Sequence, residues 1–342
     1  MKLEQIKEKL KTEEYDFLRN NINLNNNIIL LTLGGSHAYG MDKESSDIDV
    51  RGISLNTKEE ILLNNDFEQV VNTETDTTIY SFNKMVKLLC ANNPNTVEIL
   101  GCKPEHYLYL HKFGKELIEN RRMFLSKRCI HTFANYAGSQ LRRLQNKSAR
   151  LVGQAENEAY ILKSINNARY DFKNNYYPHN DSDVNLYIDK AVQEGYETEI
   201  FIDINLKHYP LRDWAGMWNE MKNIVSSYNK IGKRNENAMS HDKLGKHMAH
   251  LIRLYLMCID ILEKEEINTF REAEHDLLMS IRNGDFLDES SQPKTTFYDL
   301  LDYYEKRFEY AKNNTSIPDV PDFKRINEFK MYVNECIVKG EI

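Results

Sequence analysis

The chain has 342 residues, of which 41% are hydrophobic and 28% charged, with a net charge of −7. That length predicts two domains, or one domain with a large helical extension, and the composition supplies ample core material for a globular fold. The acidic balance argues against a general nucleic-acid coat while leaving room for a local basic groove, and five scattered cysteines argue against a zinc cluster or disulfide framework and fit a reducing compartment.

The first 20 residues, beginning MKLEQIKEKLKTEEYDFL, mix lysine and glutamate with apolar residues at helical spacing. They lack the apolar centre of a signal peptide, so the expectation is a surface helix on a cytoplasmic protein with no membrane anchor. Ile28 to Leu33 is a β-prone run, far too short to span a bilayer, and Gly34-Gly35 stops it in a tight turn. Asp47 to Ile53 alternates acid and aliphatic, the pattern of a half-buried strand. Two further strand signals follow at 67 to 71 and 73 to 80. Ser81 is placed to cap a helix carrying Phe82, Met85 and Leu88/Leu89 on one face, stopped at Asn92-Asn93-Pro94. After about residue 120 the chain reads as mainly helical. Ile130, Phe133, Ala137, Leu141 and Leu144 form one apolar face, and a less regular segment at about 155–210 includes the β-like EIFIDINL. Two more helices are expected at DWAGMWNEMKNIVSSYNKI and KLGKHMAHLIRLYLMCIDIL, with Trp214 and Trp218 as core anchors. These elements predict an α+β fold: a small mixed sheet with flanking helices in a first domain, 1–122, followed by a mainly helical domain, 123–342.

The chemistry concentrates in GGSHAYGMDKESSDIDVRG, residues 34–52. On a strand, Asp47 and Asp49 would project from one face while Ile48 and Val50 enter the core. Two carboxylates so placed repel each other unless a cation intervenes, and all-oxygen ligation beside phosphate suits Mg²⁺. Upstream, Gly34, Gly35 and Ser36 follow a buried strand, where glycine permits the close backbone approach a phosphate needs. A D-x-D alone is often a solvated strand edge and a Gly-Gly-Ser alone an ordinary turn. Their combination at this spacing points to nucleotide transfer, and no P-loop motif competes with it.

The string GSHAYG…SDIDVRG resembles the DNA polymerase β-like nucleotidyltransferase superfamily, in particular its bacterial and phage branch linked to RNA repair. NNPNTVEIL at 92–100, FLSKRCIHTFANYAGSQLRRL at 124–144, GKRN at 232–235, KHMAHLIRL at 246–254 and IRNGD at 281–285 extend the likeness over most of the chain. The resemblance implies a third carboxylate on a neighbouring strand. Strand parity puts Glu74 and Asp76 on a shared face, and Asp76 fits best, with Glu74 in reserve and Thr78 standing where the branch often has a further acid. It also implies two Mg²⁺ ions, or Mn²⁺, roughly 3.5–4 Å apart, held by Asp47, Asp49 and Asp76 against a nucleoside triphosphate. One ion would activate an acceptor hydroxyl beside Asp76, and the other would neutralise the leaving pyrophosphate.

Within the branch pattern, His37 either touches phosphate or shapes the turn, Tyr39 packs under the loop, and Arg51 reaches the triphosphate or pairs with an aspartate. Lys84, on the helix after Asp76, is a candidate phosphate contact or a solvated lysine. No acid occurs from 121 to 154, where Gln140, Arg143, Lys147 and Arg150 follow one helical stripe suited to an RNA or tRNA backbone. Lys246, His250 and Arg253 form a second stripe, taken as phosphate-facing from the family likeness. The leading expectation is an NMP transferase acting on an RNA or tRNA 3′ end. Its alternatives are protein nucleotidylation and a non-catalytic nucleotide-binding module.

Overall fold

The computed structural model describes residues 3–44, 46–149, 172, 175–180, 183–190, 192, 198–231, 241–289 and 292–341. Among them the chain forms two compact units. The first draws on Met1–Ala137, Leu251–Ser280 and Asp299–Ile342, and the second on Gly138–His250 and Ile281–Tyr298. The first unit thus takes 123–137, 251–280 and 299–342, which the 122/123 boundary expected from sequence would assign to the second domain, because helices late in the chain return to it.

The first unit is built on a mixed five-stranded sheet of order β3-β4-β2-β1-β5. Its strands are β1 (Ile28–Leu33), β2 (Val50–Ser54), β3 (Gln69–Asn72), β4 (Thr77–Ser81) and β5 (Tyr107–Leu110). β1 runs antiparallel to β2 and β5, β2 parallel to β4, and β3 antiparallel to β4. Every residue of β1 is buried, as a strand covered on both faces requires. The N-terminal segment supplies part of that cover: Ile6, Tyr15, Leu18 and Leu24 pack with Ile28, Leu31, Leu33, Ile48, Val50 and Ile79.

The topology decides where functional groups can meet. The C-terminal end of β1 lies beside the N-terminal end of β2, because Leu33 pairs with Val50. The N-terminal end of β4 is at the same level, because Val50 pairs with Thr77. Residues just after β1, just before β2 and just before β4 therefore share one end of the sheet.

After β4 the helix Phe82–Cys90 begins as its sequence predicts, with the Ser81 hydroxyl accepting from the Lys84 N–H at 3.1 Å. Its Phe82 meets Phe329 edge-on, ring centroids 6.1 Å apart, and Phe113 meets Tyr332 at 5.7 Å. Both partners lie on the last helix, Phe323–Lys339, started by the Asp322 carboxylate and ended by left-handed Gly340. These aromatic contacts hold the C-terminal helix to the first unit.

In the second unit, β6 (Val184–Lys190) and β7 (Thr198–Ile204) form an antiparallel pair at the β-like stretch read from sequence. Phe172, Val184, Leu186, Met217 and Met221 make its core. Trp214 packs against that cluster, but Trp218 is 51% exposed and stacks on Trp214 instead of anchoring the interior, which corrects the expectation for it. Helices Arg128–Ala149, Leu211–Ile231 and His241–Lys264 occupy the predicted helical stretches. Along the first, Ile130, Phe133, Ala137 and Leu144 are buried as expected. No helix among the described residues is long and apolar enough to cross a membrane.

Candidate active site

β1 ends where Gly34 turns the chain into the five-residue helix Gly35–Tyr39. Gly34 is extended and its N–H donates to the Asp49 carbonyl at 2.8 Å, so the turn is tied to the acid-bearing segment. Gly35 has φ +53°, and a Cβ built there would stand 1.6 Å from Asp49 Oδ2. At Gly34 a Cβ would stand 2.9 Å from Arg51 Cγ. The two glycines are therefore required by two charged side chains that lie directly on the turn, in addition to the backbone conformation at Gly35.

The acid pair departs from the strand expected for it. β2 begins only at Val50, so Asp47 and Asp49 occupy the connection leading into it. The physical reason is that β1, the strand they would pair with, has already turned away at Gly34, leaving a single bond from its N–H to Asp49. The alternation survives nonetheless: Ile48 and Val50 are buried, Asp47 is exposed and Asp49 half-buried. Asp76 and Glu74 are likewise not on a strand. Thr73 to Asp76 form a turn in which Asp76 takes φ +44°, and β4 starts one residue later.

Arg51 connects these pieces. Its Nη2 donates to Asp76 Oδ1 at 3.0 Å and approaches Asp49 Oδ1 at 3.5 Å. Its Nη1 donates to the Asp76 carbonyl at 2.5 Å and the Val50 carbonyl at 3.0 Å. The parallel β2–β4 register makes this possible, since the Val50 N–H also donates to the Asp76 carbonyl at 3.2 Å. Asp76, rather than Glu74, is thus the acid brought beside Asp49; Glu74 is exposed, its N–H bonded to Asn72 Oδ1.

Several other expected site residues are placed differently. Ser36 and His37 are each only 5% exposed, and His37 Nδ1 lies 3.4 Å from Asp42 Oδ2, an arrangement that shapes the turn. Lys84, read from sequence as a phosphate contact or a solvated lysine, forms an ion pair with Glu68 at the surface. Arg253 is fully buried, so the phosphate-facing stripe fails at that position. Its Nη1 donates to Glu98 Oε2 at 3.1 Å and its guanidinium lies 3.5 Å from the centre of the Tyr39 ring. The Tyr39 hydroxyl donates to the same Glu98 carboxylate, at 3.0 Å to Oε1. Burial drives the Tyr39 pKa well up; Arg253 opposes that rise and Glu98 reinforces it. A charge is affordable in this interior only because it is paired and bonded.

Glu98 is the neighbour of the short helix after the turn that sequence reading passed over. An acid inside TVEIL, flanked by Val97 and Ile99, was the available signal: a carboxylate in an apolar run requires a buried partner. Lys246, which is exposed, and His250 belong to the second unit. Gln140 is buried and within 3.3 Å of His247 Nδ1, so the first position of the basic stripe faces inward. The side chains of Arg143 and Lys147, and the whole of Arg150 and of GKRN at 232–235, lie outside the described residues.

Donor chemistry at this end of the sheet suits a hard divalent cation, because every acid gathered there offers carboxylate oxygen. A positive group already stands beside Asp49 and Asp76 in the form of the Arg51 guanidinium. Among the described residues no three His, Cys, Asp or Glu side chains close into a complete metal cage.

Residues 1–166 match the model of the RNA repair pathway DNA polymerase beta family. Over that stretch the chain is similar to this family, a polymerase β type of nucleotidyltransferase, and the mixed α/β core with a helical C-terminal region is consistent with that likeness. No curated protein and no solved structure matches the chain.

Proposed function

We propose that the protein is a Mg²⁺-dependent nucleotidyltransferase that moves a nucleoside monophosphate from an NTP to the 3′ hydroxyl of an RNA or tRNA, releasing pyrophosphate. The observation that carries this reading is the Asp49 carboxylate lying on the Gly34–Gly35 turn, at the sheet end where Asp76 also stands. The RNA acceptor rests on the description of the matched family.

In this reading Asp47, Asp49 and Asp76 hold the metal, with Mn²⁺ as a substitute. Bound there, Mg²⁺ lowers the pKa of the acceptor hydroxyl and offsets phosphate charge. Gly34 and Gly35, whose missing side chains leave room for Arg51 and Asp49, bring those two charged groups onto the turn where the triphosphate would bind. The hydroxyl oxygen forms a bond to the α-phosphorus, the bond from that phosphorus to the bridging oxygen of the β-phosphate breaks, and the proton passes to Asp76. Reactions of this type depend mainly on positioning and charge neutralisation, so few side chains need act covalently. The buried Glu98–Arg253 pair holds Tyr39, the last residue of the short helix that follows the turn.

Incubation with each NTP labelled at the α-phosphate, Mg²⁺, and total RNA or cell protein tests the proposal. Label recovered on RNA supports it. Label only on protein identifies a protein-modifying enzyme, and bound but untransferred nucleotide identifies a binding module. Asp47→Asn with Asp49→Asn is expected to abolish transfer in a folded protein, since it also relieves like-charge repulsion; wild-type rates in that double variant would remove the metal assignment.

A further inference from the structure

The position of Arg51 implies more than a contact to substrate. Four acceptors converge on its guanidinium: two carboxylates and two backbone carbonyls, drawn from the connection into β2, from β2 itself and from the turn before β4. Its stem passes over Gly34, whose missing side chain makes the space. Of the side chain, 23% is exposed, so the charge is partly withdrawn from water and screened less than a surface pair. Arg51 is thus bound within the chain much as a cation would be bound by it.

Accepting the metal reading above, we infer that Arg51 is the resident counter-ion of the acid cluster and competes with the divalent cation for it. A guanidinium and a metal ion cannot share the same carboxylate oxygens at full strength, and their like charges oppose each other at short range. In the nucleotide-free protein Arg51 satisfies Asp49 and Asp76, so divalent ions bind weakly. A triphosphate provides a second anionic partner within reach of the same side chain. The bidentate guanidinium suits phosphate oxygens as well as carboxylates, so nucleotide draws Arg51 away and frees the acids. Metal and nucleotide would therefore bind with positive coupling beyond their direct contact, since each favours the same rearrangement of Arg51. The arrangement would keep the site from filling with metal before substrate arrives.

The test is Mn²⁺ binding to the full chain, followed by electron paramagnetic resonance without any nucleotide. Arg51→Gln is expected to bind Mn²⁺ at least about tenfold more tightly than wild type, a modest figure for removing a partly screened like charge. Arg51→Lys keeps the charge and is expected to stay near wild type. Unchanged or weaker binding in a folded Arg51→Gln overturns the inference while leaving the transferase reading intact. No Mn²⁺ binding to wild type, even with a non-hydrolysable NTP, overturns both. Should Arg51→Gln fail to fold, the guanidinium resonances of Arg51 in the wild-type chain decide: they must shift on adding metal and nucleotide, and their constancy rejects the idea.

Discussion

Gly35 and Glu98 show how single residues set the geometry of this site. At Gly35 an alanine would have to adopt φ +53° and place a methyl group 1.6 Å from Asp49 Oδ2. The carboxylate would have to move off the turn, so Gly35→Ala is expected to lower nucleotide transfer by about a hundredfold or more, as misplacement near an angstrom can do. Label transfer measured beside circular dichroism checks this, since the fold should persist. At Glu98, loss of the carboxylate strands the buried Arg253 without its anion. Glu98→Ala is expected to cost about 3–5 kcal/mol in urea unfolding, the usual penalty for breaking a buried pair from one side. Tyr39→Phe keeps the ring under the guanidinium and should cost only about 1 kcal/mol.

Among the elements, the helix Phe82–Cys90 and its exit are governed by a small set of polar contacts. Asn92 follows the helix with φ +51° and is buried. Its Nδ2 donates to the carbonyls of Leu89 and Phe124, while its Oδ1 accepts from the N–H and the hydroxyl of Ser126. This one side chain joins the end of the helix to the start of Arg128–Ala149. Asn92→Ala leaves several buried groups unpaired and forces a left-handed alanine. It is expected to cost about 3 kcal/mol, read as a lower denaturant midpoint. Asn92→Gly relieves the backbone cost alone, so it should fall between alanine and wild type; equal loss in both would show that backbone strain contributes nothing there.

The whole molecule responds to pH and to thiol reagents through its buried ionisable groups. Burial lowers the His106 pKa below its ordinary 6.5, outweighing the carboxylates of Glu105 and Asp42. The folded form then holds fewer protons than the unfolded chain, so this contribution to stability is present above about pH 6.5 and is lost as pH falls further. For Asp260, burial raises the pKa, but the Arg271 charge and hydrogen bonds from Lys264, Asn268 and Arg271 together bring it below 3.8. Its contribution is present above that value and disappears as pH drops through the depressed one. Stability is therefore expected to decline in two steps on acidification; burial lowers the His111 pKa as well, so His106→Asn should diminish the first step without abolishing it, and an unaltered upper step in that variant would exclude His106. Burial also raises the thiols of Cys90 and Cys258, and Cys102 to about 12, and none of the five cysteines is in a disulfide. Alkylation of Cys102 and Cys258 should occur only after unfolding, as mass spectrometry of native and denatured samples would show.

Sequence by itself determined the local facts: the buried run of β1, the break at Gly34-Gly35, the cap at Ser81, the burial of Ile48 and Val50, and an acid pair tied in chain order to a glycine turn. Each depends on neighbours within a few residues, where apolar periodicity and backbone preference act directly. Tertiary structure alone decided which acid joins Asp49, because the choice between Glu74 and Asp76 rests on the parallel register of β2 and β4 and on a turn that ends strand parity before β4. It also decided that Arg253 is an interior cation held by Glu98, 155 residues away in sequence, and that Arg51 spans two carboxylates. Long-range pairing sets which charges meet, and a one-dimensional pattern carries the residues for such meetings without their partners.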